Sequence, residues 1–129
     1  MKSYTIVVMS MLVILLASAC ASARPITEPV SVIEAFHEAL NDGDIDAAMS
    51  FVAEDARFVT DDIYTGKAEV RGFYERVLGS NPHFQLSDFK LEGDTVTWIA
   101  EVTRYEGGFP ATPTEAVVQN GKIVSLIDL

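Results

Sequence analysis

The chain has 129 residues, 9 Lys plus Arg against 19 Asp plus Glu, and a formal net charge of −10, a length that fits a single domain. Its 49% hydrophobic content is too high for a disordered acidic chain. The acidity argues against a nucleic-acid binder or a polybasic membrane-surface protein, and one cysteine with two histidines argues against a disulfide framework or a Cys- or His-built metal centre.

Residues 1–23 read as an export signal. Lys2 precedes an apolar run from Ile6 to Leu16, which has the length of a signal h-region and is short for a membrane span of about 20 residues. Two cleavage sites compete. Leu16-Ala17-Ser18-Ala19-Cys20 resembles a bacterial lipobox, so that Cys20 would carry lipid. Ala21-Ser22-Ala23 fits an A-x-A site that would release a soluble chain from Arg24. The sole cysteine lying just beyond the apolar run favours the lipid-anchored protein of the cell envelope; the alternative is a soluble periplasmic or secreted chain.

Residues 24–29, with two prolines, form a linker, and the domain runs from 30 to 129. Ser31 with Glu34 three residues on reads as a capping box opening a helix that carries Val32, Ile33, Phe36, Ala39 and Leu40 on one face. Asn41-Asp42-Gly43 ends it, and Asp44 caps a second helix reaching about Ala53. Ala56 to Thr60 and Ile63 to Thr65 read as short strands around Asp61-Asp62. Lys67 to Leu78 is a third helix with Val70, Phe73, Tyr74 and Val77 on one side. From His83 the period changes to two. His83–Glu92 and Thr95–Arg104 form a hairpin around Gly93-Asp94, with a bulge near Ser87-Asp88 to bring Phe84 and Leu86 into phase with Phe89 and Leu91. Residues 105–113 read as a loop, and Asn120-Gly121 turns a last hairpin. Helices followed by an antiparallel sheet mean an α+β fold.

The stretches Phe36-His37-Glu38-Ala39-Leu40-Asn41-Asp42-Gly43-Asp44, Phe51-Val52-Ala53-Glu54-Asp55-Ala56, Gly66 to Tyr74 and Asn120-Gly121-Lys122-Ile123-Val124 resemble the nuclear transport factor 2-like superfamily in its SnoaL-like branch of polyketide cyclases and ketosteroid isomerases. The resemblance spans roughly residues 30–127. It implies a cone-shaped roll, with three N-terminal helices packed on the concave face of a curved, mostly antiparallel sheet. It also implies a pocket between the layers and an outer sheet face that often makes a homodimer, where Ile99 and Val118 are candidates for exposure.

The resemblance makes a ketosteroid isomerase set testable by position. Phe36 stands at the oxyanion-donating Tyr, Thr60 at the proton-shuttling Asp with Asp61 one residue away, and Glu115 at the second acid. That set is incomplete. The catalytic candidates are therefore Asp61 or Glu115 as acid–base group, with Tyr64 as hydrogen-bond donor. Glu115 is carried into the cavity by the resemblance, whereas strand alternation alone also allows Ala116 and Val118 to face the core. Asp61-Asp62 equally read as a plain turn former. Phe36, Leu40, Phe73, Trp98, Ala100 and Val102 are candidate ligand-binding residues, and simple core packing competes for each. His37 reads as a helix-surface residue about 100° from Phe36, and His83 as solvated. No metal, calcium or phosphate-loop pattern and no cofactor motif stand out. The expected partner is a small apolar molecule, with no nucleic acid, and with the membrane only through the signal or lipid.

Overall fold

The first helix begins three residues before the sequence suggests, because a carboxylate upstream, Glu28, caps it in place of Ser31. In a computed structural model describing residues 24–103 and 109–129, Glu28 accepts hydrogen bonds from the amides of Val30 and Ser31 at 3.2 and 2.8 Å and from the Ser31 hydroxyl at 2.7 Å. Pro29 at the first helical position is already set for helical φ. Helix α1 thus spans Pro29–Asn41. Asp44 caps α2 (Ile45–Met49) through the Ala47 amide, as expected, but α2 stops before Ala53. The reason is that Val52 already pairs with Ile123 in the sheet.

The remaining elements are β1 (Val52–Val59), β2 (Ile63–Thr65), α3 (Lys67–Leu78), β3 (His83–Glu92), β4 (Thr95–Thr103), β5 (Phe109–Gln119) and β6 (Lys122–Asp128). They form one six-stranded sheet in the order β2-β1-β6-β5-β4-β3. Every pairing is antiparallel except β1 with β6. The expected bulge is present: the β3–β4 register shifts between Ser87 and Lys90, and Asp88 takes φ 57°. Further shifts between Ala100 and Val102 and between Val117 and Val118 add to the curvature. The expected loop is partly wrong. Phe109 to Pro113 already belongs to β5, with Phe109 opposite Val102, Thr112 opposite Ala100 and Pro113 opposite Ile99. Residues 104–108 and residues 1–23, expected to be an export signal with Cys20, lie outside the described residues.

The core lies between the helices and the concave face. Val32, Ile33, Phe36, Phe58, Val70, Val96, Ala116 and Ile123 are fully buried there. Asn41 fastens the end of α1 to the sheet edge: its Nδ2 donates to the Phe84 carbonyl at 2.9 Å and its Oδ1 accepts from the Phe84 amide at 2.7 Å. On the convex face Ile99 is half-buried and Ile63 exposed, but Val118, expected outside, packs inward.

The β5–β6 turn holds the linker. Asn120 and Gly121 have φ of 52° and 74°, the conformation an Asn-Gly hairpin turn requires. A Cβ on Gly121 would stand 2.7 Å from the Ile26 carbonyl oxygen. Gly121→Ala therefore combines left-handed strain of about 1–2 kcal/mol with a clash against backbone. We expect a loss of about 2 kcal/mol or more in urea unfolding; a change below about 0.5 kcal/mol would contradict this packing.

Candidate functional site

The bent sheet and α3 do not close on one another, and a cavity of about 480 Å³ opens between them. Its wall takes residues from α1, α3 and β3 to β6, and from the Thr60-Asp61 break after β1. The apolar part includes Phe73, Val77, Phe84, Ala100, Val102 and Leu126. Polar groups enter at two places.

At the mouth, Asp61 Oδ1 accepts from the Thr60 hydroxyl and the Tyr64 hydroxyl, both at 3.0 Å. The Tyr64 oxygen in turn accepts from Arg76 Nη2 at 3.2 Å. The Tyr64 ring leans on Phe73 with centroids 4.7 Å apart. The hydrogen bond from Thr60, with that from Tyr64, holds the Asp61 carboxyl below the usual carboxylate range. Asp61, Thr60 and Arg76 line the cavity, while Tyr64 stands behind them and orients Asp61.

Also on the cavity wall, the exposed Asp128 at the end of β6 accepts from the Thr114 hydroxyl at 3.1 Å. Burial pushes its carboxyl upward, and the charge of Asp61 adds to that push against the Thr114 hydrogen bond. Two carboxylates of one cavity are thus driven in opposite directions, Asp61 down and Asp128 up. Tyr74 is 4% exposed and lines the same wall. Burial first, and the Asp128 charge second, raise its hydroxyl so far that it remains a donor at any ordinary pH.

His37 corrects the sequence reading most sharply. It is not on the helix surface: it is 5% exposed, with Phe36, Phe84 and Trp98 rings edge-on at 5.0, 5.5 and 5.8 Å. No local pattern signals this, because β3 and β4 fold over the flank of α1 next to the Phe36 stripe. Desolvation lowers its pKa from 6.5 to about 4, only partly offset by the hydrogen bond from Nδ1 to the Ile33 carbonyl. The unfolded chain therefore takes up the His37 proton at a higher pH than the folded one. Stability from the neutral ring is complete above pH 6.5 and is lost as the pH falls towards 4. This loss is roughly 3 kcal/mol. Comparing urea unfolding at pH 7 and pH 4, we expect His37→Phe to escape that part of the acid destabilisation; an equal loss in both proteins would contradict the buried neutral ring.

Several other expectations need correction. Glu115 does not enter the cavity: Thr114, Ala116 and Val118 are 2%, 0% and 2% exposed, so strand alternation turns Glu115 to the convex face opposite Thr97 and Ile127. The alternation competed with the resemblance at this position, and the alternation prevailed. The second acid of the cavity wall is instead Asp128, at the end of the last strand. Of the expected ligand-binding residues, Phe73, Ala100 and Val102 line the cavity. Phe36, Leu40 and Trp98 lie behind the wall at 0%, 1% and 2% exposure. The hydroxyl absent from Phe36 has a neighbour in Tyr74, whose ring packs edge-on at 5.3 Å. Trp98 Nε1 is buried with no hydrogen-bond partner among the described residues. Among the described residues no group of three His, Cys, Asp or Glu side chains could hold a metal ion, and no helix is long and apolar enough to cross a membrane.

A family model of the SnoaL-like domain matches residues 33–128. No curated protein matches the chain. Among solved structures, a candidate polyketide cyclase from Sinorhizobium meliloti superposes with a TM-score of 0.70 at 14% identity, covering 77% of this chain and 94% of its own. A nuclear transport factor 2-like protein of unknown function from Cytophaga hutchinsonii gives 0.69 at 19% identity, with 78% and 88% covered. A candidate ketosteroid isomerase from Kribbella flavida gives 0.68 at 15%, with 76% and 73% covered. At these identities the likeness is one of fold.

Proposed function

The chain belongs to the SnoaL-like domain family, and from that premise we propose that it binds a small, mostly apolar molecule carrying a polar group in the cone cavity. The observation that carries this reading is the unfilled 480 Å³ wall of aromatic and aliphatic side chains into which Asp61, Asp128, Tyr74 and His37 converge. Such a cavity fits a molecule of two fused rings or fewer, held by apolar contact and oriented by a few polar groups. In isothermal titration, 1-naphthol should bind with a dissociation constant of about 10–1000 µM. Failure to bind any two-ring aromatic or alicyclic alcohol at millimolar concentration would remove the reading.

A second reading, acid–base catalysis on the bound molecule, is supported by the opposed carboxylates. A proton-transfer group works best with its pKa moved towards the operating pH. That favours Asp128, raised by burial, over Asp61, whose hydrogen bonds keep it ionised as a fixed charge at the mouth. Glu115, facing outward, has no part in this mechanism. In a carboxyl-detected NMR titration, Asp128 should take up its proton at a higher pH than Asp61, and Asp61→Asn should lower the Asp128 midpoint. The reverse order would end the assignment. Neither reading needs the ketosteroid isomerase set, since Phe36 supplies no hydroxyl to the cavity.

Export, with lipid on Cys20, is proposed on the sequence of residues 1–23. Mass spectrometry of the mature chain decides it, a free Arg24 N-terminus counting against the lipid anchor.

A further inference from the structure

We propose that His37 makes the inner end of the cavity selective for ligands that present a hydrogen-bond donor there, such as an alcohol, phenol, enol or amide N–H, over those that present only an acceptor. The inference rests on the proposed small-molecule cavity and names the class of polar group it takes.

His37 Nδ1 lies 2.8 Å from the Ile33 carbonyl oxygen four residues earlier in α1. A carbonyl oxygen only accepts, so Nδ1 carries a hydrogen. The opposite tautomer would set two lone pairs against each other at that distance. The ring is also 95% removed from solvent, among the edges of Phe36, Phe84 and Trp98, where a second proton and its charge would be poorly solvated. The neutral ring therefore has its one N–H committed to Ile33, and Nε2 holds an unshared lone pair. Among the described residues no side chain or backbone group donates to it, and His37 is part of the cavity wall.

Nε2 is thus an open acceptor at the wall of a mostly apolar cavity, and a ligand that supplies a donor there gains a hydrogen bond. A ketone or carboxylate oxygen placed at the same point would meet a lone pair and gain nothing. The aromatic edges around the ring fix its plane, so the lone pair points in one direction and the preference is geometric as well as electrostatic. The mouth offers the opposite chemistry, with Arg76 donating beside Asp61. A bound molecule is thereby oriented with its hydroxyl inward.

The test compares 1-naphthol with 1-methoxynaphthalene, which keeps the ring and oxygen and lacks the donor. By isothermal titration at pH 7, the wild-type protein should bind 1-naphthol about tenfold more tightly. In His37→Phe that ratio should fall to within about twofold. In the unaltered protein, the ¹⁵N resonance of His37 Nε2 should start in the range of an unprotonated ring nitrogen and move on adding 1-naphthol, while 1-methoxynaphthalene leaves it in place. This second measurement stands even if the variant folds poorly. Equal affinities, an unchanged ratio in a folded His37→Phe protein, or a protonated Nε2 in the free protein would each overturn the inference while leaving the cavity reading intact. Absence of binding by both compounds would overturn both.

Discussion

Ala100→Phe is expected to lower the affinity for 1-naphthol about 100-fold or more, close to abolition in a titration. Ala100 sits in the middle of β4, with Leu86 beside it on β3 and Thr112 on β5, and its methyl group forms part of the cavity wall. A phenyl ring built from that Cβ enters the space the ligand would occupy. A 100-fold loss corresponds to about 2.7 kcal/mol, comparable to the apolar contact that one ring of the ligand would make. Because the new ring enters open volume, the overpacking cost of about 1–3 kcal/mol usual for small-to-large core changes should be largely avoided. The thermal midpoint should therefore stay within a few degrees of wild type while binding disappears. Undiminished binding by a folded Ala100→Phe protein would place the ligand elsewhere.

Phe36→Ala has the largest expected effect on stability. The ring is fully buried and touches His37, Phe58 and Tyr74 edge-on at centroid distances of 5.0, 6.3 and 5.3 Å. Truncating such a ring costs about 3–5 kcal/mol, against a total of about 5–15 kcal/mol for a domain. His37 and Tyr74 would lose the surface that orients them, so binding should weaken as well. Equilibrium urea unfolding measures the first effect; a loss below about 1 kcal/mol would mean that the ring is not the keystone of the α1–sheet interface.

The two variants bear on different parts of the structure, and the sequence was legible to different degrees in each. The helical stripe Val32, Ile33, Phe36 and Leu40, the Asn-Gly turn and the bulge at Ser87-Asp88 are local signals, and each appears where expected. The start of α1 departs from the expected Ser31 cap because Glu28 is an uncommon cap that works here through three donors. The start of β5 departs from the expected loop because Pro110 and Pro113 look like loop formers, yet both lie within an extended strand. The candidate site was less legible still. Asp61 and the apolar wall at Phe73, Ala100 and Val102 could be placed from turn position and alternation. His37, Asp128 and Thr114 could not, because their place depends on how far β3 to β6 curl back over α1. That curl is a property of the assembled sheet, and no local periodicity encodes it. Glu115 shows the converse: its outward direction was available from the alternation with Ala116 and Val118, and position matching to a family drew it inward.

The central claim is that the space between α3 and the concave sheet face is a binding cavity. Backbone amide chemical-shift mapping of the uniformly ¹⁵N-labelled protein during addition of 1-naphthol tests it most directly. The account predicts saturable shifts concentrated at His37, Thr60, Tyr74, Ala100 and Thr112, with Glu115 and Thr97 on the convex face unmoved. Shifts confined to the convex face, or no saturable change at millimolar 1-naphthol, would contradict it.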